Sequence, residues 1–137
     1  IGSAALMSIL GVGIEWVDAE RFSRVERRFG SRLHARLFTY EESAYAARFT
    51  DPNRSAQALA VRFAAKVAAR RALESAGVFG VGLREVEVLR NPQGRPGLQL
   101  HGSAREGASA IGVVGVSVTL THDRQHCIGQ VILEAAS

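Results

Sequence analysis

The feature that most constrains this fold is a long helical pattern in the middle of the chain, over about residues 55–76. The segment is rich in alanine, arginine and leucine, which are strong helix formers. Leu59, Phe63 and Val67 repeat every four residues, a spacing that places them on one face of a helix. Gly77 follows the pattern and is typical of a helix end. The sequence therefore predicts one long helix with an apolar stripe facing the core.

Before this helix the sequence predicts a strand and two shorter helices. Residues 8–14 form a short apolar run with two glycines, which is typical of a buried strand. Residues 18–29 carry apolar residues at helical spacing, and Asp18 fits the N-cap position. Residues 40–49 predict a second short helix with Thr39 as its N-cap.

After the long helix the pattern changes to that of strands. Val86 and Val88 alternate with polar residues, and a turn at residues 91–96 leads into a second strand, which together predict a hairpin. The remaining predicted elements are a short helix and two strands, over residues 103–111, 116–121 and about 127–134. This order predicts an α+β fold with a largely antiparallel sheet and helices packed on one face.

Length and composition favour a single domain over residues 7–137, and residues 1–6 are interpreted as a remnant of an expression vector. Hydrophobic residues make up 47% of the chain and charged residues 22%, an ordinary balance for a globular protein. The single cysteine, Cys127, cannot form an internal disulfide, which fits a reducing compartment. No apolar run is long enough to span a membrane. We therefore expect a cytoplasmic protein without a membrane partner.

The charge of the chain is modestly basic, with 17 Lys and Arg against 13 Asp and Glu. This excess is either a solvated surface or the sign of an anionic partner, such as phosphates, nucleic acid or an acidic protein. Aromatic residues are only 7% of the chain, and no basic stripe is interleaved with them. We therefore do not expect a nucleic-acid partner.

Several features are candidates for chemistry, and each has an ordinary structural alternative. Glu15 follows the first predicted strand, and a carboxylate there is either a metal ligand or base, or a surface acid. His122 ends a strand and is either functional or a capping residue. The turn around Gly94 is normally only hairpin chemistry. A basic group on the long helix suits phosphates only if its face lines a cleft, and it consists of Arg62, Lys66, Arg70 and Arg71.

Taken together and in order, five segments resemble a known family. The run GVGIEWVDAERF at residues 11–22 resembles the opening GIGIDIVEIERF of the holo-(acyl carrier protein) synthases, which are small phosphopantetheinyl transferases. FTYEE at residues 38–42 resembles their F-T-x-x-E, and RFAAKVA at residues 62–68 resembles their signature RFAAKEA. VEVLRNPQGRP at residues 86–96 resembles their hairpin, and VSVTLTHD at residues 116–123 resembles their histidine-ended strand. The resemblance covers nearly the whole chain.

The resemblance implies a phosphopantetheinyl transferase-like fold and an enzyme that activates carrier proteins. Such enzymes use coenzyme A as substrate with a divalent cation, usually Mg²⁺. They transfer the 4′-phosphopantetheine arm to a serine of an apo acyl carrier protein and release adenosine 3′,5′-bisphosphate, as in fatty acid biosynthesis. The family also implies a homotrimer whose sites are shared between neighbouring chains.

The resemblance also implies roles for individual residues. Glu15 matches the metal-binding aspartate of the family and is expected to act as a metal ligand or base. Lys66 is expected to be catalytic, and Arg21 matches a face that meets the acidic recognition helix of the carrier protein. The implied coenzyme A residues are Arg62, Lys66, Arg71, Gly94, Arg95, Pro96, Thr121 and His122.

Two departures from the family pattern bear on the chemistry. Glu15 is one methylene longer than the usual aspartate, and Val67 replaces the glutamate that is the second metal ligand of the family. Valine cannot bind a hard cation, which prefers oxygen ligands. The sequence therefore leaves two hypotheses: an active transferase with a rebuilt metal site, or a catalytically impaired member that binds coenzyme A or a carrier protein.

Overall fold

The computed structural model describes residues 7–136, so residues 1–6, the predicted vector remnant, lie outside the described range. The strands within this range are β1 (Met7–Asp18), β2 (Val86–Arg90), β3 (Pro96–Leu100), β4 (Val113–His122) and β5 (His126–Ala136). The α-helices are α1 (Ala19–Phe29), α2 (Ser31–Leu37), α3 (Tyr40–Ala47), α4 (Pro52–Ser75) and α5 (Gly102–Ala110). The predicted α+β class is confirmed.

The strands form two antiparallel sheets instead of the one that the sequence predicts. β1, β5 and β4 pair in that spatial order, with the last strand of the chain in the centre. The hairpin of β2 and β3 forms a separate two-stranded sheet. Strand periodicity identifies the strands but not their partners, which explains this difference.

Helix α4 crosses the inner face of the three-stranded sheet and forms the centre of the molecule. Leu59 and Val67 of its apolar stripe are buried as predicted, at 0% and 5% exposure, whereas Phe63 is only half-buried. The same helix also buries two charged residues, Arg62 and Lys66, at 3% and 0% exposure. Across residues 7–136 no helix combines the length and apolarity that a membrane span needs.

Two glycines allow the sheet to lie against the backbone of α4. A Cβ on Gly13 would overlap backbone atoms of Ala68, and a Cβ on Gly129 would lie 2.8 Å from the carbonyl of Ala64. Glu15 pairs with Gly129 across β1 and β5, so it lies beside this close contact. The distance between the Glu15 backbone and α4 is therefore set by glycine.

The predicted N-caps of the two short helices are confirmed. Asp18 accepts a hydrogen bond from the backbone N–H of Arg21 at 3.0 Å. Thr39 and Glu42 form a reciprocal capping box, in which Thr39 Oγ1 accepts from Glu42 N at 3.3 Å and Glu42 Oε1 accepts from Thr39 N at 2.9 Å. These caps fix the start of α1 next to the end of β1, and the start of α3.

The sequence missed α2 and placed the start of α4 too late. Helix α2 follows Gly30, which has φ 47° and gives no side-chain cap, so its start carries no sequence signal. Helix α4 begins at Pro52 because Asp51 accepts from Asn53 N at 2.9 Å and proline suits the first helical turn. Residues 51–53 are therefore the cap and the first residues of the helix.

The outer face of the three-stranded sheet leaves large apolar side chains exposed. Ile14 and Trp16 on β1 alternate with the inward-facing Gly13 and Glu15, and they are 55% and 62% exposed. Exposed clusters of this kind are typical of protein interfaces.

Candidate active site

Glu15 lies near the end of β1 and faces α4. Its Oε1 lies 3.4 Å from Nη2 of Arg71, and the Glu15 side chain is 23% exposed, whereas that of Arg71 is 56% exposed. The same oxygen accepts a hydrogen bond from the backbone N–H of Trp16 at 3.2 Å. The structure thus brings together two of the predicted site residues, Glu15 and Arg71.

Val67 lies one helical turn before Arg71 on α4, and Phe63 lies one turn before Val67. Phe63 and Glu15 line the same apolar pocket of about 280 Å³, and Arg71 contacts Glu15, so Val67 belongs to the helix face that meets Glu15. Its side chain is buried. The position that matches the second acid is therefore part of the core.

These residues do not fit the two-carboxylate magnesium site that the resemblance implies. Glu15 is the one carboxylate that the pair of matching positions offers, and its Oε1 is held by a guanidinium. Among residues 7–136 no group of three or more His, Cys, Asp or Glu side chains could hold a metal ion. Mg²⁺ binds carboxylates together with substrate phosphates, and a neighbouring cation opposes that binding.

Lys66 is placed differently from its expected role. Its side chain is fully buried, and Nζ donates to Oε1 of Glu42, which is also fully buried. Burial lowers the pKa of the Lys66 ammonium, and the Glu42 carboxylate acts in the opposite direction. The ammonium therefore does not reach the surface in this structure, and it holds Glu42 instead of lining a cleft.

Glu42 connects Lys66 to the hairpin and to α3. Its Oε2 accepts from the backbone N–H of Val88 at 2.8 Å, and Thr39 Oγ1 donates to Glu87 Oε2 at 2.7 Å. Thr39 and Glu42 are both in the FTYEE segment, so this segment serves to join α3, α4 and β2. Thr39 as N-cap predicted the helix start, but nothing in the sequence indicated the pairing of Glu42 with Lys66.

A second group of predicted residues surrounds a pocket of about 230 Å³ beside α3 and α4. Arg62 and His122 both line this pocket, together with Arg54 and Arg90. Arg62 lies over the ring of Tyr45, with Cζ 4.0 Å from the ring centroid. Four groups that are or can become cationic thus converge on one pocket.

Arg62 also retains an unused donor. It donates through Nη1 to the carbonyl of Ala58 at 3.1 Å, but within residues 7–136 its buried Nε has no hydrogen-bond partner. Burial lowers the pKa of Arg62, yet a guanidinium remains charged near neutral pH. A buried, charged group with an unpaired donor is suited to an anionic ligand.

The hairpin turn joins this pocket through Arg90. Arg90 Nη1 donates to the carbonyl of Gly94 at 2.7 Å, and Asn91 Oδ1 accepts from the backbone N–H of Arg95 at 2.9 Å. Gly94 has φ 81°, a conformation that favours glycine. Gly94, Arg95 and Pro96 are therefore positioned next to the Arg62 pocket. Sequence reasoning missed Arg90, although its basic charge directly before the turn was visible.

The Arg62 pocket and the Glu15–Arg71 pair lie on opposite sides of α4. Arg62 and Arg71 are nine residues apart, which corresponds to a rotation of about 180° and a rise of about 13 Å along the helix. One chain therefore does not bring all the predicted site residues into a single cleft.

Arg21 and Thr121, the two remaining predicted site residues, are both exposed. Arg21 lies on α1 at the apolar pocket that Glu15 and Phe63 also line. Thr121 precedes His122 on β4. Both positions are open to a partner molecule.

The sequence model of the 4′-phosphopantetheinyl transferase superfamily matches residues 11–129, which include both groups of site residues. The holo-[acyl-carrier-protein] synthase of Alkalilimnicola ehrlichii is 37% identical over 93% of this chain and 98% of its own. That of Geobacter sulfurreducens is 39% identical over 92% of this chain and 98% of its own. The chain belongs to the holo-[acyl-carrier-protein] synthase family.

A solved structure of this synthase family agrees with the fold described above. The ACPS–CoA complex of Chronobacterium ammoniagenes is 25% identical, covers 96% of this chain and 99% of its own, and has a TM-score of 0.77. The resemblance stated from five sequence segments is thereby confirmed. Glu15 and Val67 depart from the family pattern that the five segments otherwise follow.

Proposed function

We propose that this chain transfers the 4′-phosphopantetheine arm from coenzyme A to a serine of an apo acyl carrier protein. Family membership supports the reaction. The observation that carries the assignment to a phosphate-bearing substrate is the Arg62 pocket, on which three arginines and a histidine converge. The proposal includes a cytoplasmic carrier protein of fatty acid biosynthesis as the acceptor.

The nucleotide end of coenzyme A belongs in the Arg62 pocket. Arg62, Arg90 and His122 supply donors for phosphate oxygens, and charge-assisted hydrogen bonds of this kind are stronger than neutral ones. The neighbouring turn at Gly94 leaves backbone exposed beside the pocket and suits the adenine end.

The transfer is a displacement at the β-phosphorus of the pyrophosphate. The serine oxygen of the carrier protein forms a bond to this phosphorus, and the bond to the bridging oxygen breaks. Adenosine 3′,5′-bisphosphate leaves with the electron pair, and the serine proton is released. In this proposal the Glu15 carboxylate accepts that proton and Arg71 faces the charge that develops on the phosphate oxygens. Positioning and charge neutralisation supply the rate.

A homotrimer would unite the two sides of α4. The Arg62 pocket of one chain and the Glu15–Arg71 pair of the next can form one cleft only between chains, because they face opposite ways in each chain. The exposed Ile14 and Trp16 on the outer sheet face offer an apolar contact surface. Light scattering at micromolar protein is expected to give about three times the chain mass. Trp16→Glu is expected to lower it, and a monomeric native protein would contradict shared sites.

The carrier protein would dock on α1. Arg21, Arg24, Arg27 and Arg28 are exposed on this helix, and Arg21 lies beside the pocket that contains Glu15. Such a surface attracts an acidic partner by long-range electrostatics. The serine to be modified would then approach the Glu15 side of α4.

A second candidate function follows from Val67. A chain that lacks the second acid of the family could bind coenzyme A or the carrier protein without transferring the arm. The buried position of Val67 favours this candidate, because a small shift of neighbouring side chains does not bring a carboxylate to this position.

Mass spectrometry of an apo carrier protein incubated with coenzyme A and this protein distinguishes the two candidates. Transfer adds the phosphopantetheine mass to the carrier. Arg62→Gln is expected to weaken coenzyme A binding about 10- to 100-fold, which corresponds to losing a charged hydrogen bond. Arg105→Gln, an exposed arginine on α5, serves as the matched control. Tight coenzyme A binding without a mass increase would favour the binder, and binding of neither coenzyme A nor the carrier protein would reject both candidates.

A further inference from the structure

We infer that this chain uses the Arg71 guanidinium in place of a divalent cation at the pyrophosphate of coenzyme A, so that coenzyme A binding is independent of Mg²⁺. The inference rests on the proposed function and concerns the Glu15 side of α4. It starts from the disagreement between the residues found there and a two-carboxylate metal site.

The missing carboxylate cannot be supplied by a small rearrangement. Val67 is buried on α4, and the backbone of α4 is held against β1 at Gly13, where even a Cβ would not fit. The helix therefore cannot rotate to bring another side chain to the position of Val67 without breaking this contact.

The remaining carboxylate is already engaged by a cation. Arg71 Nη2 lies 3.4 Å from Glu15 Oε1, so a divalent ion placed on that oxygen would lie next to a fixed positive charge. Glu15 also accepts from Trp16 N, which orients its carboxylate. The site thus has one acid, shared with an arginine, and disfavours a second cation.

The guanidinium can bind a phosphate while it is held by Glu15. More than half of the Arg71 side chain, 56%, is exposed, and a guanidinium carries five N–H donors in a planar fork. This fork matches two phosphate oxygens at once, as a metal ion bridging two oxygens would. Glu15 therefore acts as a positioning residue for Arg71, in addition to its proposed role towards the serine proton.

The extra methylene of Glu15 has a function in this arrangement. The glycine contact fixes the distance from the β1 backbone to α4, so the length of the side chain decides whether the carboxylate reaches Arg71. Aspartate at this position would be shorter and would release the guanidinium. The two departures from the family pattern, at Glu15 and Val67, then belong to one change from a metal-based to an arginine-based site.

Titration calorimetry of coenzyme A against metal-stripped protein tests the inference, once in EDTA and once in millimolar Mg²⁺. We expect dissociation constants in the two buffers that agree within about twofold. Arg71→Gln is expected to raise the constant about tenfold or more in both buffers. Arg71→Lys keeps the charge but not the planar fork, so its dissociation constant is expected to lie between those of the native protein and Arg71→Gln. Arg105→Gln is expected to bind coenzyme A as the native protein does. Thermal unfolding of each variant confirms that it is folded.

The other outcomes of the titration would overturn either the inference alone or the proposed function as well. Binding at least tenfold tighter in Mg²⁺ than in EDTA would overturn the inference and leave the proposed function intact. The same holds if a folded Arg71→Gln binds as well as the native protein. No binding in either buffer would reject the proposed function itself, and the inference with it.

Discussion

The two sides of α4 differ in how they use charge. On the side of Arg62 and Lys66 the charged groups are buried and tied to α3 and the hairpin. On the side of Val67 and Arg71 the helix is apolar where it is buried and charged only where it is exposed. One side of the helix therefore combines structure with substrate binding, whereas the other keeps its single ion pair available for chemistry. Similar basic residues along one helix can thus have unrelated roles.

The largest expected effect is on the buried side. Lys66→Met leaves the Glu42 carboxylate buried without its cation, and removing one partner of a buried pair costs about 3–5 kcal/mol in the free energy of unfolding. Chemical denaturation measures this loss. The double variant Lys66→Met with Glu42→Gln is expected to lose less, because no charge is left buried. Equal losses in the single and the double variant would mean that the Lys66–Glu42 ion pair does not itself contribute to the free energy of unfolding.

The next effect concerns the Val67 side. Glu15→Asp with Val67→Glu rebuilds the family pattern and releases Arg71, so we expect coenzyme A binding and transfer to become dependent on Mg²⁺. Single electrostatic groups in active sites are worth about 10²–10³ in rate, roughly 3–4 kcal/mol. The mass-based transfer assay with and without Mg²⁺ measures the change.

Val67→Glu alone is the informative control for this pair. A carboxylate at this buried position next to the longer Glu15 is expected to lower stability by several kcal/mol or to stay protonated. A folded double variant that gains neither activity nor stabilisation by Mg²⁺ would show that the cleft has been lost for other reasons, and the binding candidate would then lead.

A smaller effect is expected at Arg21, where a substitution should distinguish carrier protein binding from coenzyme A binding. Arg21→Glu is expected to slow carrier protein association about tenfold at low salt, with the difference fading as salt rises. Coenzyme A affinity is expected to stay nearly unchanged, because Arg21 neither lines the Arg62 pocket nor takes part in the Glu15–Arg71 ion pair. Surface plasmon resonance measures the association rate constant of the carrier protein, and calorimetry measures the dissociation constant of coenzyme A. Parallel losses of both would place the carrier on a different surface.

The smallest expected effect is that of the Glu15–Arg71 ion pair on stability. Arg71→Gln removes an ion pair whose arginine is more than half exposed, and such pairs contribute about 0–1 kcal/mol to stability. Denaturation should therefore barely distinguish this variant from the native protein, in contrast to Lys66→Met. A loss as large as that of Lys66→Met would mean that Arg71 is structural, and the contrast between the two sides would fail.

Local signals predicted the elements well, because each depends on neighbours in the sequence. Asp18 and Thr39 cap their helices as predicted, and the alternation at Val86 and Val88 identified the hairpin. Helix α2 has no side-chain cap and was missed. The division into two sheets depends on pairing between distant segments, which periodicity does not encode.

The site was only partly predictable, because the resemblance gives positions and not environments. Arg62 and His122 do share a pocket, and Glu15 does meet Arg71. Lys66 has the same basic character as its neighbours on α4, and only the structure shows that Glu42 removes it from the surface. The relation between the two groups is also invisible in the sequence, since it depends on the rotation along α4.

The glycine contact between β1 and α4 has a consequence for how this site can change over time. Gly13 packs directly against the backbone of α4, so the distance between strand and helix is fixed and only the length of the side chains between them can vary. Substitutions at positions 15 and 67 are then expected to be epistatic, each acceptable only on the background of the other. Either single step passes through a less fit intermediate, so the two solutions would persist as separate lineages. A double-mutant cycle at positions 15 and 67 would measure the interaction energy between the two side chains.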